Sequence, residues 1–343
     1  MQRHYVGIEI GGTKLQIVVG DGSAKIIERR HLAVERDKGG AGIRGQINAT
    51  LAELMPLHEP APSPRPLPLG GGEGARRAGE GDSGRLNASV FATHKPTAIG
   101  VGFGGPVDWK TGQIYRSHQI EGWADFKLGD WLKSLSGLPV RVDNDANTGT
   151  LGEALHGAGV GFSPVFYVTL GSGVGGGLVV DGKIYHGAKP GEAEIGHVRL
   201  DRSGTIVESR CSGWAVDAKI RRLKTTEPDS LLVKLIGNST GGEARFLAPA
   251  LEKGDTEAKR ILNETAEDLA FGLSHVVHLF HPEVIILGGG LSLVGEPLRA
   301  AVEGALRSFT MEAFAPGPKV RLAALGEDAV PMGALELAKH ATL

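Results

Sequence analysis

The sequence predicts an α/β protein built as two packed units, and three observations carry that prediction. The chain has 343 residues, enough for two units that each bury a core of their own. A strand–glycine–strand pattern occurs twice, in "YVGIEIGGTKLQIVVGDG" (Tyr5 to Gly22) and "VFYVTLGSGVGGGLVVDG" (Val165 to Gly182). A helix-like stretch, Ala258 to Phe280, runs into the apolar "PEVIILGGGLS", Pro282 to Ser292. A strand that ends in glycines after a helix is the pattern of α/β architecture.

Taken in order, the first repeat reads as strand, glycine turn, strand and a "DG" turn. Aligning Ile10-Gly11-Gly12 with Leu170-Gly171-Ser172 brings Val18-Val19 close to Val179-Val180, and each copy closes in Asp-Gly. Two such hairpins suggest an internal duplication with one hairpin per unit. A helix is expected near Ile43–Leu54. Between Pro60 and Gly84, 12 of 25 residues are Gly or Pro, which reads as a flexible insertion over about 58–92. "TAIGVGFGGPVD", Thr97 to Asp108, is another apolar strand running into glycines, and "LPVRVD" is strand-like too.

Composition narrows the function. Hydrophobic residues make up 41% and charged residues 22%, as in soluble globular proteins, and the formal net charge is -2. That balance gives no reason to expect a nucleic-acid or membrane-surface binder. Cys211 is the single cysteine, so a disulfide framework and thiolate-rich zinc sites are excluded, and a cytoplasmic location is expected. The first strand-like run begins at Tyr5, which leaves no expected place for a signal peptide or DNA-binding head.

Glycine is over-represented, with 53 residues clustered beside β-branched runs. Glycine turns let backbone N–H groups approach a ligand closely and form concave anion sites. Gly11, Gly12, Thr13 and Lys14 add a hydroxyl and a cation, and Gly171, Ser172 and Gly173 place a hydroxyl between two glycines. Two such turns facing each other would clamp a polyphosphate, with a third at Gly288, Gly289 and Gly290. No Walker A loop is present, and "GVGFGG" does not keep the Rossmann spacing.

Two polar islands supply candidate chemistry. "VDNDANTGTLGE", Val142 to Glu153, sets Asp143, Asn144, Asp145 and Asn147 after a strand. An Asp at a strand's mouth can take a proton from an attacking hydroxyl in phosphoryl transfer. Such clusters also make turns and helix caps. In "GEAEIGHVRL", Glu194 and His197 stand three apart, on one face of a helical turn, where they suit the hydroxyls of a polyol. His275, His278 and His281 drift around a helix and do not converge as a metal site.

These segments, in this order, resemble the ROK family of sugar kinases and repressors: "GIEIGGTK", "GFGGPVD", "LPVRVDNDAN", "LGSGVGGGLVVDGKIYHG", "EIGH" and "VIILGGGLS". The resemblance implies an actin-like, sugar-kinase fold, with two α/β domains around a central cleft. The expected division is a small domain of residues 1–118, joined by a C-terminal helix at 330–343, and a larger domain of 119–329. It implies ATP-dependent phosphorylation of a hexose, with magnesium, and a homodimer. Asp145 would be the general base. Gly105, Gln119, Asn144, Glu194 and His197 would bind the sugar. Gly11 to Lys14, Gly171 to Gly173 and Gly288 to Gly290 would hold the nucleotide. Glucose is the expected acceptor. Fructose, mannose, N-acetylated hexoses, polyphosphate as donor and a non-catalytic sugar sensor stay open.

The sequence departs from the family pattern in three ways. Glu9 stands where the family usually has Asp, next to the magnesium and phosphates. The family zinc site, one His with three Cys, is reduced to His197 and Cys211, so no structural zinc is expected. The glutamate expected after the last zinc cysteine is not obvious, because Val216 and Asp217 occupy that neighbourhood. No counterpart of the repressors' helix-turn-helix is expected.

Overall fold

A computed structural model describes residues 3–55, 94–117, 119–189, 191 and 193–342. The Gly/Pro-rich insertion lies outside the described residues. The first unit contains β1 (His4–Ile10), β2 (Lys14–Gly20), β3 (Ile26–Ala33), α1 (Gly39–Leu54), β4 (Pro96–Phe103), β5 (Val107–Asp108), β6 (Gln113–Ile114), α2 (Leu128–Ser136) and β7 (Val140–Asn144). Then α3 (Asp145–His156) leads to β8 (Val165–Leu170), β9 (Val174–Val180) and β10 (Lys183–Ile184). Next come α4 (Val207–Cys211), α5 (Gly213–Thr226), α6 (Leu231–Ile236), α7 (Leu247–Glu252) and α8 (Thr256–Phe280). The chain closes with β11 (Val284–Gly288), α9 (Glu296–Phe309), β12 (Lys319–Leu322) and α10 (Ala329–His340).

Two five-stranded sheets share one topology. Their orders are β3-β2-β1-β4-β7 and β10-β9-β8-β11-β12. In each, a three-stranded antiparallel meander is followed by two parallel strands on the far side of its first strand. The duplication read from two hairpins thus extends to the complete sheets. The first sheet runs on through Asn144, past the boundary at residue 118 expected from the sequence. The physical reason is strand pairing: β7 adds to the free edge of β4, with Ile99 opposite Val140. Leu128 and Leu132 of α2 also join the first unit's core.

Each sheet has its own apolar layer. Ile8, Ile10, Ile17, Val101 and Trp123 are buried in the first unit. Phe166, Ile285, Leu269 and Leu273 are buried in the second, where α8 is the central helix. The apolar period of α8 starts after Asp255, whose carboxylate accepts from the Ala258 N–H at 2.7 Å. It stops at His281, which is left-handed and precedes Pro282.

Between the sheets lie α3 and α10. Leu335 and Ala338 of α10 pack on Tyr5 and Val18 of the first sheet. Leu151 and Ala154 of α3 pack with Tyr167 and Ile286 of the second. The helices cross at glycine: a Cβ on Gly333 would overlap the Thr148 carbonyl, and one on Gly152 would overlap that of Ala329. No helix among the described residues is long and apolar enough to cross a membrane.

Candidate active site

Asp145 is the first residue of α3, at the end of β7. The turn forms there because Asn144 caps the helix, its Oδ1 accepting from the N–H groups of Ala146 (2.8 Å) and Asn147 (3.2 Å). The Asn144 amide donates to the Gly105 carbonyl at 3.3 Å, which engages one of its two N–H groups. Gly105 therefore fixes Asn144 from the loop after β4. The Asp145 carboxylate lies beside Gly104, where a Cβ would come within 3.3 Å of Oδ2 and 3.4 Å of the Ile10 carbonyl. The candidate base thus sits against the end of β1 and the first glycine turn. Burial, then the charge of Glu9, then that of Glu194, push its carboxyl up to about 7.

The first turn is tight, with the Gly11 N–H donating to the Lys14 carbonyl at 3.0 Å. Thr13 is exposed at its tip. Glu9 is buried behind it, its two oxygens taken by Lys14 (3.1 Å) and Gln16 (2.8 Å). Burial raises the Glu9 pKa and the Lys14 ammonium opposes the rise. The Lys14 cation is thus engaged by protein in this state. The Gln119 side chain covers Gly12, so the loop expected to line the sugar touches the first glycine turn.

The second turn repeats the pattern, the Gly171 N–H donating to the Gly173 carbonyl at 2.9 Å with Ser172 exposed between them. The start of α5 abuts it, since Gly213 donates to the Gly171 carbonyl at 2.7 Å. The third cluster divides. A Cβ on Gly288 would overlap Tyr167, and one on Gly289 would come within 2.6 Å of the Leu170 backbone. Those two glycines serve packing against β8, whereas the space at Gly290 is open.

Glu194 precedes a 3-10 turn, Ile195–His197, and both Glu194 and His197 are exposed. His197 donates its backbone N–H to the Glu194 carbonyl at 3.0 Å, so the pair shares one turn. The charge of Glu194 is among the influences that raise the Asp145 pKa.

Glu208 is a carboxylate that sequence reading missed. Its Oε2 accepts from the Val174 N–H at 2.9 Å, and the side chain covers Gly173. Asp217, in the neighbourhood the sequence offered for a sugar-side glutamate, instead caps the N–H groups of Gly242 (3.1 Å) and Ala244 (2.7 Å). Nothing local in the sequence marks Glu208, because it reaches the turn only through the packing of α4.

Among the described residues, no three His, Cys, Asp or Glu side chains converge as a metal site. The zinc-loop region has its own ties. Asp201 accepts from Ser203 Oγ (2.6 Å) and the N–H groups of Gly204 (3.0 Å) and Thr205 (3.1 Å). Cys211 is buried, its thiol 3.6 Å from the Thr265 carbonyl and its pKa pushed up to about 12 by burial. The histidines of α8 are engaged separately: His275 packs on Phe271, His278 accepts from the Met311 N–H at 3.2 Å, and His281 meets Phe314 edge-on.

Two sheets of equal topology, each with a glycine turn after its first strand and with α3 and α10 between them, are the architecture of the actin-like sugar-kinase fold. Comparisons with known proteins agree. The family model described as the ROK family matches residues 88–341. The chain is 29% identical over 350 residues to the glucokinase of Halalkalibacterium halodurans, covering 98% of this chain and 96% of that one. It is 32% identical over 250 residues to the glucokinase of Thermotoga maritima, covering 71% and 79%. The crystal structure of a ROK family glucokinase from Streptomyces griseus in complex with glucose and AMPPNP matches with a TM-score of 0.76 at 28% identity, covering 99% of this chain and all of that one. The chain belongs to the ROK family.

Proposed function

We propose that the chain transfers a phosphoryl group from ATP to a hexose hydroxyl, with glucose as the acceptor and glucose 6-phosphate as the product. It is an enzyme of the sugar-kinase class. The observation that supports the acceptor chemistry best is Asp145, a carboxyl raised to about 7 chiefly by burial, beside the first glycine turn. A base with its pKa near working pH combines a large ionised fraction with real proton affinity. Asn144, Glu194 and His197 would hold the sugar, with Gly105 and Gln119 shaping the pocket.

The residues fit a nucleotide polyphosphate. Gly171 and Gly290 leave open backbone where side chains would intrude, and Thr13 and Ser172 present exposed hydroxyls. Magnesium would arrive with the phosphates, with Glu9 as the carboxylate behind the first turn, and would neutralise phosphate charge. Closure of the two units would exclude water, which competes as an acceptor. The homodimer and the cytoplasmic location belong to the same proposal.

The test is ADP release with MgATP across glucose, fructose, mannose and their N-acetylated forms, with Asp145→Asn in parallel. Turnover on glucose that Asp145→Asn lowers by orders of magnitude, with sugar binding retained, is expected. Turnover favouring another hexose would move the acceptor assignment. Sugar binding without turnover by the unmodified chain would favour a sensor.

A further inference from the structure

The segment between β10 and Glu194 is stitched to the first unit. His186 Nε2 lies 2.6 Å from Asp143 Oδ2, and both side chains are largely buried. The His186 ring stacks on Trp109, with centroids 4.1 Å apart and planes at 12°. Five residues on, the Gly191 carbonyl accepts from Asn147 Nδ2 at 3.2 Å. Lys189 pairs with Asp108 at the surface. Asp143, Asn147, Trp109 and Asp108 lie on the first unit or the first turn of α3, whereas His186, Lys189 and Gly191 lead directly to Glu194.

The other half of each contact reaches Asp145. Asp143 Oδ1 accepts from the Asn144 N–H (2.9 Å) and from Asn147 Nδ2 (3.1 Å). Asn144 and Asn147 flank Asp145 in the same helical turn. Hydrogen bonds thus link His186 through Asp143 to the neighbours of Asp145, and Gly191 through Asn147 to the same helical turn. The chain touches the first unit at His186 and Gly191, and the Glu194–His197 turn that follows is held on the second unit by buried Ile195.

We propose that His186 and Asp143 are positioning residues that set the spacing between Asp145 and the Glu194–His197 turn. This rests on the reading of Asp145 as the base. Proton transfer and phosphoryl attack need reacting atoms held in near-attack geometry, and a misplacement of about 1 Å costs on the order of 10²-fold in rate. Removing His186 leaves Asp143 Oδ1 with its two donors, Asn144 and Asn147, but takes the partner from Oδ2. His186→Gln, which keeps an N–H for Oδ2, and the melting temperature therefore separate lost registration from lost stability.

The experiment compares His186→Ala, His186→Gln and Asp145→Asn for kcat, both KM values and melting temperature. His186→Ala is expected to raise the sugar KM and lower kcat, with a combined loss on the order of 10²-fold. The ATP KM should stay within about twofold, because the phosphate turns are not held by this contact. His186→Gln keeps an N–H for Asp143 and is expected to recover most of the loss. Unchanged sugar kinetics in folded His186→Ala would overturn the proposal. So would an ATP KM that shifts as much as the sugar KM, or a Gln variant as impaired as Ala. If Asp145→Asn retained near-full activity, the base assignment itself would fail, which is a separate outcome from failure of the positioning role.

Discussion

Glu9→Gln tests the electrostatics of the cleft most directly. The Asp145 carboxyl is raised to about 7 by burial and then by the charge of Glu9. In the proposed role as base its ionised form is the active one, so kcat/KM for the sugar should rise with pH. With a pKa near 7, about a tenth of the free enzyme is competent at pH 6 and about nine-tenths at pH 8, a nearly tenfold change in rate. An ordinary aspartate would be flat over this range. Glu9→Gln removes a neighbouring negative charge and frees the Lys14 ammonium, and both effects lower the Asp145 pKa. A nearby charge typically moves a carboxyl by about one unit or more. The variant's acid limb should therefore move toward pH 6, and its fractional activity at pH 6 should rise to about half of its plateau. The plateau itself should fall, because Glu9 lies behind the phosphate turn. The assay is initial rate against sugar at saturating MgATP over the neutral range, with Asp145→Asn as the control for titration of the donor. A wild-type profile flat from pH 6 to 8, or a variant limb that stays put or moves upward, would refute the reasoning.

Other outcomes follow from the same structure. Because the folded pKa of Asp145 lies above its ordinary value, the stability gained from protonation is present at low pH and lost as pH rises through about 7. Asp145→Asn should therefore raise the melting temperature at pH 8 relative to wild type, by an amount that shrinks as pH falls toward about 4, by differential scanning fluorimetry. Gly333→Ala drives a methyl group into the Thr148 carbonyl and should cost about 1–3 kcal/mol in urea unfolding. Glu208→Gln keeps an acceptor for the Val174 N–H but removes charge beside the second glycine turn, so it should alter the substrate KM values with a small change in stability. Prolonged chelation with EDTA, followed by removal of the chelator, should leave melting temperature and MgATP-supported turnover unchanged. The region around Asp201 and Cys211 is tied by hydrogen bonds and apolar packing.

Local chemistry was what the sequence displayed well. The hairpins were legible because β-branched runs, glycine turns and Asp-Gly closures are short-range signals. The Asp145 turn was legible because Asn144 is at once a cap and a neighbour of the candidate base. What the sequence did not display depends on pairing across long separations. β7 could be read as a strand, but nothing in "LPVRVD" says that it pairs with β4 and extends the first sheet. Glu208 carries no local mark of its contact with Val174. The His186–Asp143 contact joins residues 43 positions apart, and neither belongs to a motif that names the other. The glycines at 288–290 look alike in sequence, yet two are required by close packing and the third faces open space.

The place of α10 has a consequence for how the chain is made. Its Leu335 and Ala338 seal the inner face of a sheet whose last strand, β7, ends at Asn144. On a ribosome, that face must wait for roughly 185 further residues, about 10–40 s of synthesis, before its cover exists. During this interval Tyr5 and Val18 present an apolar surface with no native partner. The nascent first half is therefore the natural client for a chaperone that binds apolar strands. Once α10 docks, the ends of the described chain are held together, and the first of the described strands is covered by the last of the described helices.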